Sequence, residues 1–317
     1  MDNLTHTLTG LALSRAGLNR WHPQAAILMM LSANAPDADI VTIARGPLAY
    51  FEAHRGYTHA IVAVPVMALL CVLLVAAFTR SLRGWKTAWA LCIVGVASHL
   101  LLDWTNTYGV RFLLPFSSGW FHLDLNGLGD LWIWGVLILA WVGPYFARMV
   151  SSEMGAPAGS GRALAWIALS FFAIYDFGRE LAHQRAIEML NSRVYQGGPP
   201  IRVAAFPASS ANPFEWSGWI ERPEFVKRFA MNVRQDFDPT AGSTIHKADP
   251  SPAIEAARTA KSVQVMLNFA QYPLWQVSAA LEPAGAMEVD LRDWRFPFTA
   301  SATVDSMNQV LSSSFHY

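Results

Sequence analysis

Charge is scarce in this chain. Asp, Glu, Lys and Arg make up 15% of its 317 residues, against roughly a quarter in an ordinary soluble domain. The 23 basic residues are matched by 23 acidic ones. That balance leaves no basic surface for a phosphate backbone, so nucleic acid is not an expected partner. Cysteine is nearly absent. Cys71 and Cys92 both sit in apolar runs without a motif neighbour, so they read as small core residues and do not report the redox compartment. Nucleophile motifs are missing too. There is no Gly-x-Ser-x-Gly elbow, and Ser98 beside His99 points away from it on a helix. The "GGPP" of 197–200 has no lysine and no following helix, so it is not a phosphate loop. No basic stretch precedes the first segment, and no secretory signal is predicted. Internal repeats and low-complexity tracts are absent.

What the chain has in quantity is apolar sequence, at 53%. A bilayer core asks for about 20 apolar residues per helix. Three segments meet that demand, about 60–79, 87–103 and 131–149, and a shorter one covers about 163–177. Two weaker segments precede them, about 4–18 and 24–40, the second opened by Pro23. Several of the 13 tryptophans, Trp85, Trp104, Trp120 and Trp132 among them, stand at the ends of these runs, where a half-wet ring is favoured. The pattern predicts a mainly α, integral-membrane bundle of about six embedded helices over 1–180.

The short loop "RSLRGWK" carries Arg80, Arg83 and Lys86 and is expected in the cytoplasm. By parity the connection 148–162 and the turn 14–23 lie on the same side. The N-terminus, 41–59, 104–130 and everything after about 178 then lie outside. Beyond Arg179 the composition turns polar. "IRVAAF", "WSGWIE", "FVKRFAMNV" and "MEVDLRDW" read as strands, and "AIEAARTAKSVQVMLNFA" as one helix. Residues 185–317 are expected to form a small extracytoplasmic α/β domain with an antiparallel sheet.

The residues with metal-ligand chemistry gather at the outer span ends of this topology. They are His6, Asp37 and Asp39 in "NAPDAD", His54 and His59 in "HRGYTH", and His99 and Asp103 in "SHLLLD". His99 and Asp103 are i,i+4 and share one helix face. Asp37 and Asp39 follow Pro36, where a helix is disrupted, so both carboxylates can reach one cavity. Gly56 between His54 and His59 permits a tight turn, and Thr58 is placed to orient an imidazole. One charge at mid-membrane costs about 2.5–3.5 kcal/mol. A bound dication offsets that cost by attracting carboxylates and taking imidazole lone pairs. Imidazole and carboxylate together suit Zn, with Mn or Fe also allowed.

The four stretches "DNLTHTLTG", "NAPDAD", "HRGYTH" and "SHLLLDWTNTYG", in this order, resemble the LexA-regulated family of membrane-bound metal-dependent hydrolases over about 1–180. "NPFEW" and "DLRDWRF" are similar to the C-terminal region of its longer members. The motif order also resembles, more distantly, the zinc-dependent phospholipase C and single-strand nuclease group, helical enzymes with two or three zinc ions. The resemblance implies a bacterial inner-membrane hydrolase with one to three divalent ions. His6, Asp37, His54, His99 and Asp103 become ligands, and Asp39 and His59 ligands or their partners. The chain departs from that group in having a single His-x-x-x-Asp helix. His122 with Asp124, or Glu180 with His183, are the candidates to make up the set.

The expected chemistry is attack by metal-activated water on an ester. Asp39 or Asp103 takes the proton and Arg55 holds an anionic oxygen. A site at the bilayer edge suits a phosphoester of a lipid or lipid-linked substrate. Two other classes compete. One is a non-catalytic membrane protein whose His/Asp cluster holds a structural or sensed ion. The other is a transporter, disfavoured because the span interiors 61–78 and 133–142 carry no histidine and no charged residue.

Overall fold

The computed structural model describes residues 1–153 and 161–316. Residues 154–160, inside the connection 148–162, and Tyr317 lie outside the described residues.

Asp2 caps α1 (Asn3–Arg15) by accepting from the Thr5 amide at 3.0 Å, satisfying an amide that has no partner within the helix. α2 (Ala25–Ser32) is short because Pro36 follows, and a proline disfavours the α conformation in the residue before it. The chain continues as a 3-10 stretch, Ala35–Arg45, bent 46° from α2. α3 (Pro47–Ala53) and two more 3-10 turns, Tyr57–His59 and Ile61–Ala63, lead into α4 (Val64–Thr79). A tight turn with Arg80 and Gly84 in left-handed conformation reverses the chain into α5 (Trp85–Thr105). α4 and α5 meet along a seam of small and β-branched residues, Ala68, Cys71, Val72 and Val75 against Ala88, Cys92 and Val96. Such seams let helices approach closely where lipid removes the usual hydrophobic drive. α6 (Leu131–Glu153) and α7 (Arg162–Asn191) close the bundle on α1 through Leu8, Ala12, Ile133, Leu137, Ala168 and Phe172.

Two glycines set the spacing at the bundle's centre. A Cβ at Gly10 would stand 2.6 Å from the Met29 carbonyl, and one at Gly95 2.0 Å from Ser32 Oγ. α1, α2 and α5 therefore touch backbone to backbone just beneath His6 and His99.

The expectation of six embedded helices is corrected. Among the described residues, three helical segments are long and apolar enough to cross a membrane, Ile61–Thr79, Trp85–Thr105 and Leu131–Ser151, or four if the bent pair Ala25–Ser32 and Ala35–Arg45 is one span. α1, with 13 residues, is about 20 Å long, short of a hydrocarbon core of about 30 Å. Its Leu8 and Ala12 are bundle core instead. α7 is one continuous 30-residue helix. Its first half is apolar, and its second half leaves the bundle to carry the C-terminal domain.

That domain holds two four-stranded antiparallel sheets, each in sequential order. The first is β1 (Arg202–Pro207), β2 (Glu215–Glu221), β3 (Phe225–Asn232) and β4 (Ser243–His246). It packs on α7 through Trp216, Ile220 and Phe229 against Ala186 and Leu190. The second is β5 (Pro273–Ala279), β6 (Met287–Asp293), β7 (Thr299–Val304) and β8 (Val310–His316). It covers two helices, α8 (Pro252–Ala257) and α9 (Lys261–Phe269), where the sequence suggested one. Phe51 of α3 and Tyr108 join this second core. The Phe51 ring lies 4.8 Å from that of Phe269 and 4.6 Å from that of Phe315. Trp120 donates to the Asn268 carbonyl at 2.8 Å and Arg295 to the Thr107 carbonyl at 2.9 Å. The domain is thereby seated on the loops that carry the polar residues.

Replacing Gly95 by valine forces α2 and α5 apart. Overpacking of this kind costs about 1–3 kcal/mol. A Gly95→Val protein is expected to melt earlier in detergent, measured by intrinsic fluorescence, whereas Gly135→Val, at a position with open space around it, is expected to melt with the wild type.

Candidate metal centre

Four ligand-type side chains from three stretches of chain meet at the end of the α4–α5 hairpin opposite the turn that holds Arg80 and Arg83. α5 supplies His99 and Asp103 one turn apart, both fully buried. The 3-10 stretch after Pro36 supplies Asp37, and the 3-10 turn after Gly56 supplies His59. One ligand atom from each lies within 4.8 Å of all the others.

The separations can be tested against an ion. His59 Nε2 lies 3.1 Å from His99 Nε2, 3.5 Å from Asp37 Oδ1 and 3.4 Å from Asp103 Oδ2. His99 Nε2 lies 3.2 Å from Asp103 Oδ2 and 3.7 Å from Asp37 Oδ1. A tetrahedron with bonds of zinc–nitrogen length has edges of about 3.3 Å. Five of the six edges are thus of the right size. The tautomers agree. His99 Nδ1 stands 2.7 Å from the Ala33 carbonyl, which can only accept, so that nitrogen carries the proton and Nε2 offers a lone pair. His59 Nδ1 lies 3.0 Å from Thr58 Oγ1, which donates onward to Asp39 Oδ2 at 3.3 Å. This relay leaves His59 Nε2 as an acceptor as well. Two nitrogen lone pairs and two carboxylates facing one point repel each other unless a cation stands between them. The donor set fits a divalent ion held by Asp37, His59, His99 and Asp103.

Asp37 belongs to a second group as well, with Asp39 and His54. Asp39 ties the whole "HRGYTH" turn together. It accepts from the Arg55 amide at 3.0 Å and lies 3.1 Å from His54 Nδ1, besides its bond from Thr58. Burial pushes the His54 pKa below the ordinary histidine value, against the opposing pull of Asp39. The ring therefore stays neutral and able to bind a metal into mild acid.

The other expected residues are close by. His6 stacks on His99 with ring centroids 3.8 Å apart, and its Nε2 lies 3.5 Å from Asp103 Oδ1. Both of its ring nitrogens are buried without a hydrogen bond. Arg55 is buried and left-handed, with φ of 54°. Its guanidinium bonds Asp103 Oδ1 at 2.8 Å and the Gly109 carbonyl at 3.0 Å, with the Tyr108 ring beneath it. The group expected to hold a substrate anion is thus engaged with the protein's own carboxylate. The Met1 amino group also meets Asp103 Oδ1. Gly56 has an unexpected reason. Its φ is negative, but a Cβ there would stand 2.6 Å from the Ala53 carbonyl and 3.1 Å from Arg111 Nη2. The need is for space. His122 and Asp124 pair with each other at 2.8 Å and join neither ligand group. Glu180 receives Gln184 at 2.7 Å and also joins neither.

Sequence reasoning gave no role to the Ala33 carbonyl, to Tyr108 or to Gly109. A backbone acceptor leaves no mark in residue types, but "NTYG" directly follows the α5 ligands and could have been read as part of the turn.

Removal of the inner ligands is expected to abolish binding. Elemental analysis is expected to find a divalent metal, zinc or manganese, in the wild type and none in a His99→Ala/Asp103→Ala protein. Thr58→Ala should keep the ion but bind it about 10–100-fold more weakly, read by competition with a chelator.

The sequence profile of the YdjM inner membrane protein family matches residues 1–180. The chain is 28% identical over 143 residues to uncharacterized protein YfhP of Bacillus subtilis (strain 168), covering 42% of this chain and 43% of that protein. It is 35% identical over 100 residues to inner membrane protein YbcI of Escherichia coli (strain K12), covering 30% of this chain and 56% of that protein. The chain spans about half the length of these curated relatives. No solved structure matches it. With more than half of its length under one profile, and every residue of both ligand groups inside the matched region, the chain belongs to the YdjM inner membrane protein family.

Proposed function

We propose that this chain is a multi-pass, metal-dependent hydrolase of the inner membrane, cleaving an ester and by preference a phosphoester of a lipid or lipid-linked substrate. The observation that carries the proposal is the set of five ligand-atom separations between 3.1 and 3.7 Å, next to a second, three-residue group that shares Asp37. The two groups have different characters. The inner four residues close a tetrahedron, the form of a structural ion site. The outer three, Asp37, Asp39 and His54, leave a coordination position free, the form of a catalytic one.

A divalent ion in the outer group would supply a water of lowered pKa. The protein's own residues do the rest. Asp39 borders an open cleft, together with Thr58, and is the carboxylate placed to accept a proton there. Asp103 is sealed from solvent, and Arg55 balances its charge and holds its orientation. Thr58 keeps the His59 ring turned. The closed inner set also favours a second reading, in which the cluster holds a structural or sensed ion and no turnover occurs.

The positive turn around Arg80, Arg83 and Lys86 is assigned to the cytoplasm, and the ion site and C-terminal domain to the opposite face. A reporter that is active only outside the cytoplasm, fused after residue 316, should then be active.

Hydrolysis is tested by screening phosphoester lipids with purified protein. Asp39→Asn is expected to retain the inner ion and lose at least about 100-fold in rate, the scale of a general base. Turnover by Asp39→Asn equal to wild type would remove Asp39 from the mechanism. Because the ligands must be deprotonated, bound metal should fall as pH falls. The lowered pKa of His54 places its loss as a ligand below the ordinary histidine range, measurable by dialysis at stepped pH.

A further inference from the structure

Beside the ion site lies an open cleft of about 780 Å³, within the size range of ligand pockets. Its walls come from three different places. Asp39, Thr58 and Gly56 form the end at the ion site, Met67 and Leu70 of α4 form one flank, and Val265 and Phe269 of α9 form the roof. Leu70 is nine residues into the apolar segment that starts at Ile61, or about 14 Å along a helix. It is more than half exposed, as are Val66 and the cleft residue Val41. An α4 surface of this hydropathy faces lipid, so the cleft opens sideways into the hydrocarbon as well as toward the ion site.

The cleft also carries two arginines. Arg45 is exposed and makes no hydrogen bond or ion pair among the described residues. Arg111 lies over the Trp120 ring at 4.9 Å, donates once to the Glu52 carbonyl at 3.2 Å, and keeps a buried Nε without a partner. The two carboxylates of the cleft do not neutralise them. Glu52 is paired with Lys261, and Asp39 is held by the Arg55 amide, Thr58 and His54. The cleft is thus lined by apolar residues of α4 and by two arginines, of which Arg111 lies at the Gly56 end.

We propose that this cleft binds the phosphate-bearing head of a membrane lipid that enters sideways past α4. Arg45 and Arg111 grip the phosphate, and α9 of the C-terminal domain covers the head. Guanidinium groups bind phosphate oxygens in paired fashion. Arg111 Nη2 lies close to Gly56, at the end of the cleft beside the ion site. The assignment rests on the hydrolase reading only for what happens to the lipid after binding.

The test is calorimetric titration of the full chain in uncharged detergent with dihexanoyl phosphatidic acid, dihexanoyl phosphatidylcholine and inorganic phosphate. Phosphatidic acid is expected to bind more tightly than either of the others. Arg45→Ala and Arg111→Ala should each weaken it about tenfold or more, with metal content unchanged. Leu70→Trp, which narrows the lipid-side opening at an exposed position, should weaken phosphatidic acid and leave phosphate alone. Arg45→Lys should recover part of the loss. If the arginine variants bind phosphatidic acid as the wild type does, or if phosphate binds as tightly as the lipid, the proposal is overturned. Firm, arginine-dependent binding without cleavage of any ester would support the cleft and reject the hydrolase. Cleavage of soluble esters without lipid binding would do the reverse.

Discussion

Asp103 holds a carboxylate at a depth in the bundle that solvent does not reach. An uncompensated ion there costs several kcal/mol, so the surrounding structure is arranged to meet that charge. Arg55 comes to one oxygen, at the expense of a left-handed backbone for a residue other than glycine. The other oxygen faces His59 and His99. To bring them there, α5 must lie against α2 with nothing larger than hydrogen at Gly95, and the Ala33 carbonyl must turn the His99 ring. The early end of α2 at Pro36 then follows as a requirement, because a regular helix through residues 35–39 would not present Asp37 to the cluster and Asp39 to the following turn. The helix packing, the bend and the loop conformation all trace to the placing of that single charge.

The clustered histidines and aspartates stood out in the sequence because they break a strong background. A histidine or aspartate in an apolar run is conspicuous, and the i,i+4 pair His99/Asp103 predicted its own geometry. Asp37, His59 and the neighbouring His6 also lie where the span ends suggested. Less legible was which residues sit inward and which outward, since Asp37 and Asp39 differ only in the local turn. The role of Gly56 was hidden because it depends on how closely the chain folds back on the Ala53 carbonyl, which residue types do not show. The count of embedded helices failed for a related reason. Apolar length does not distinguish lipid-facing sequence from bundle core, and Leu8 and Ala12 of α1 are core. In the C-terminal domain the strands with large side chains were readable, including "WSGWIE" and "FVKRFAMNV". β7 and β8, "TASATV" and "VLSSSFH", were not. Small residues let those strands pack closely, and they carry little periodic signal.

The seating of the C-terminal domain has its own physical logic. Phe51 precedes the "HRGYTH" turn by only a few residues, yet its ring is buried in the core formed by α9, β7 and β8. Tyr108, under the Arg55 guanidinium, is in the same core. A single apolar cluster therefore spans the loops that carry the His/Asp cluster and the strands of the C-terminal domain, beside the hydrogen bonds of Trp120 and Arg295.

The profile that places the chain in its family ends at residue 180, and the roof over the cleft, α9, begins at Lys261. The side chains of the His/Asp cluster and those that roof the cleft beside it thus come from different parts of the chain, the first inside the matched profile and the second beyond it. A substitution in α9 therefore changes the cover over the cleft while every residue of the His/Asp cluster stays in place.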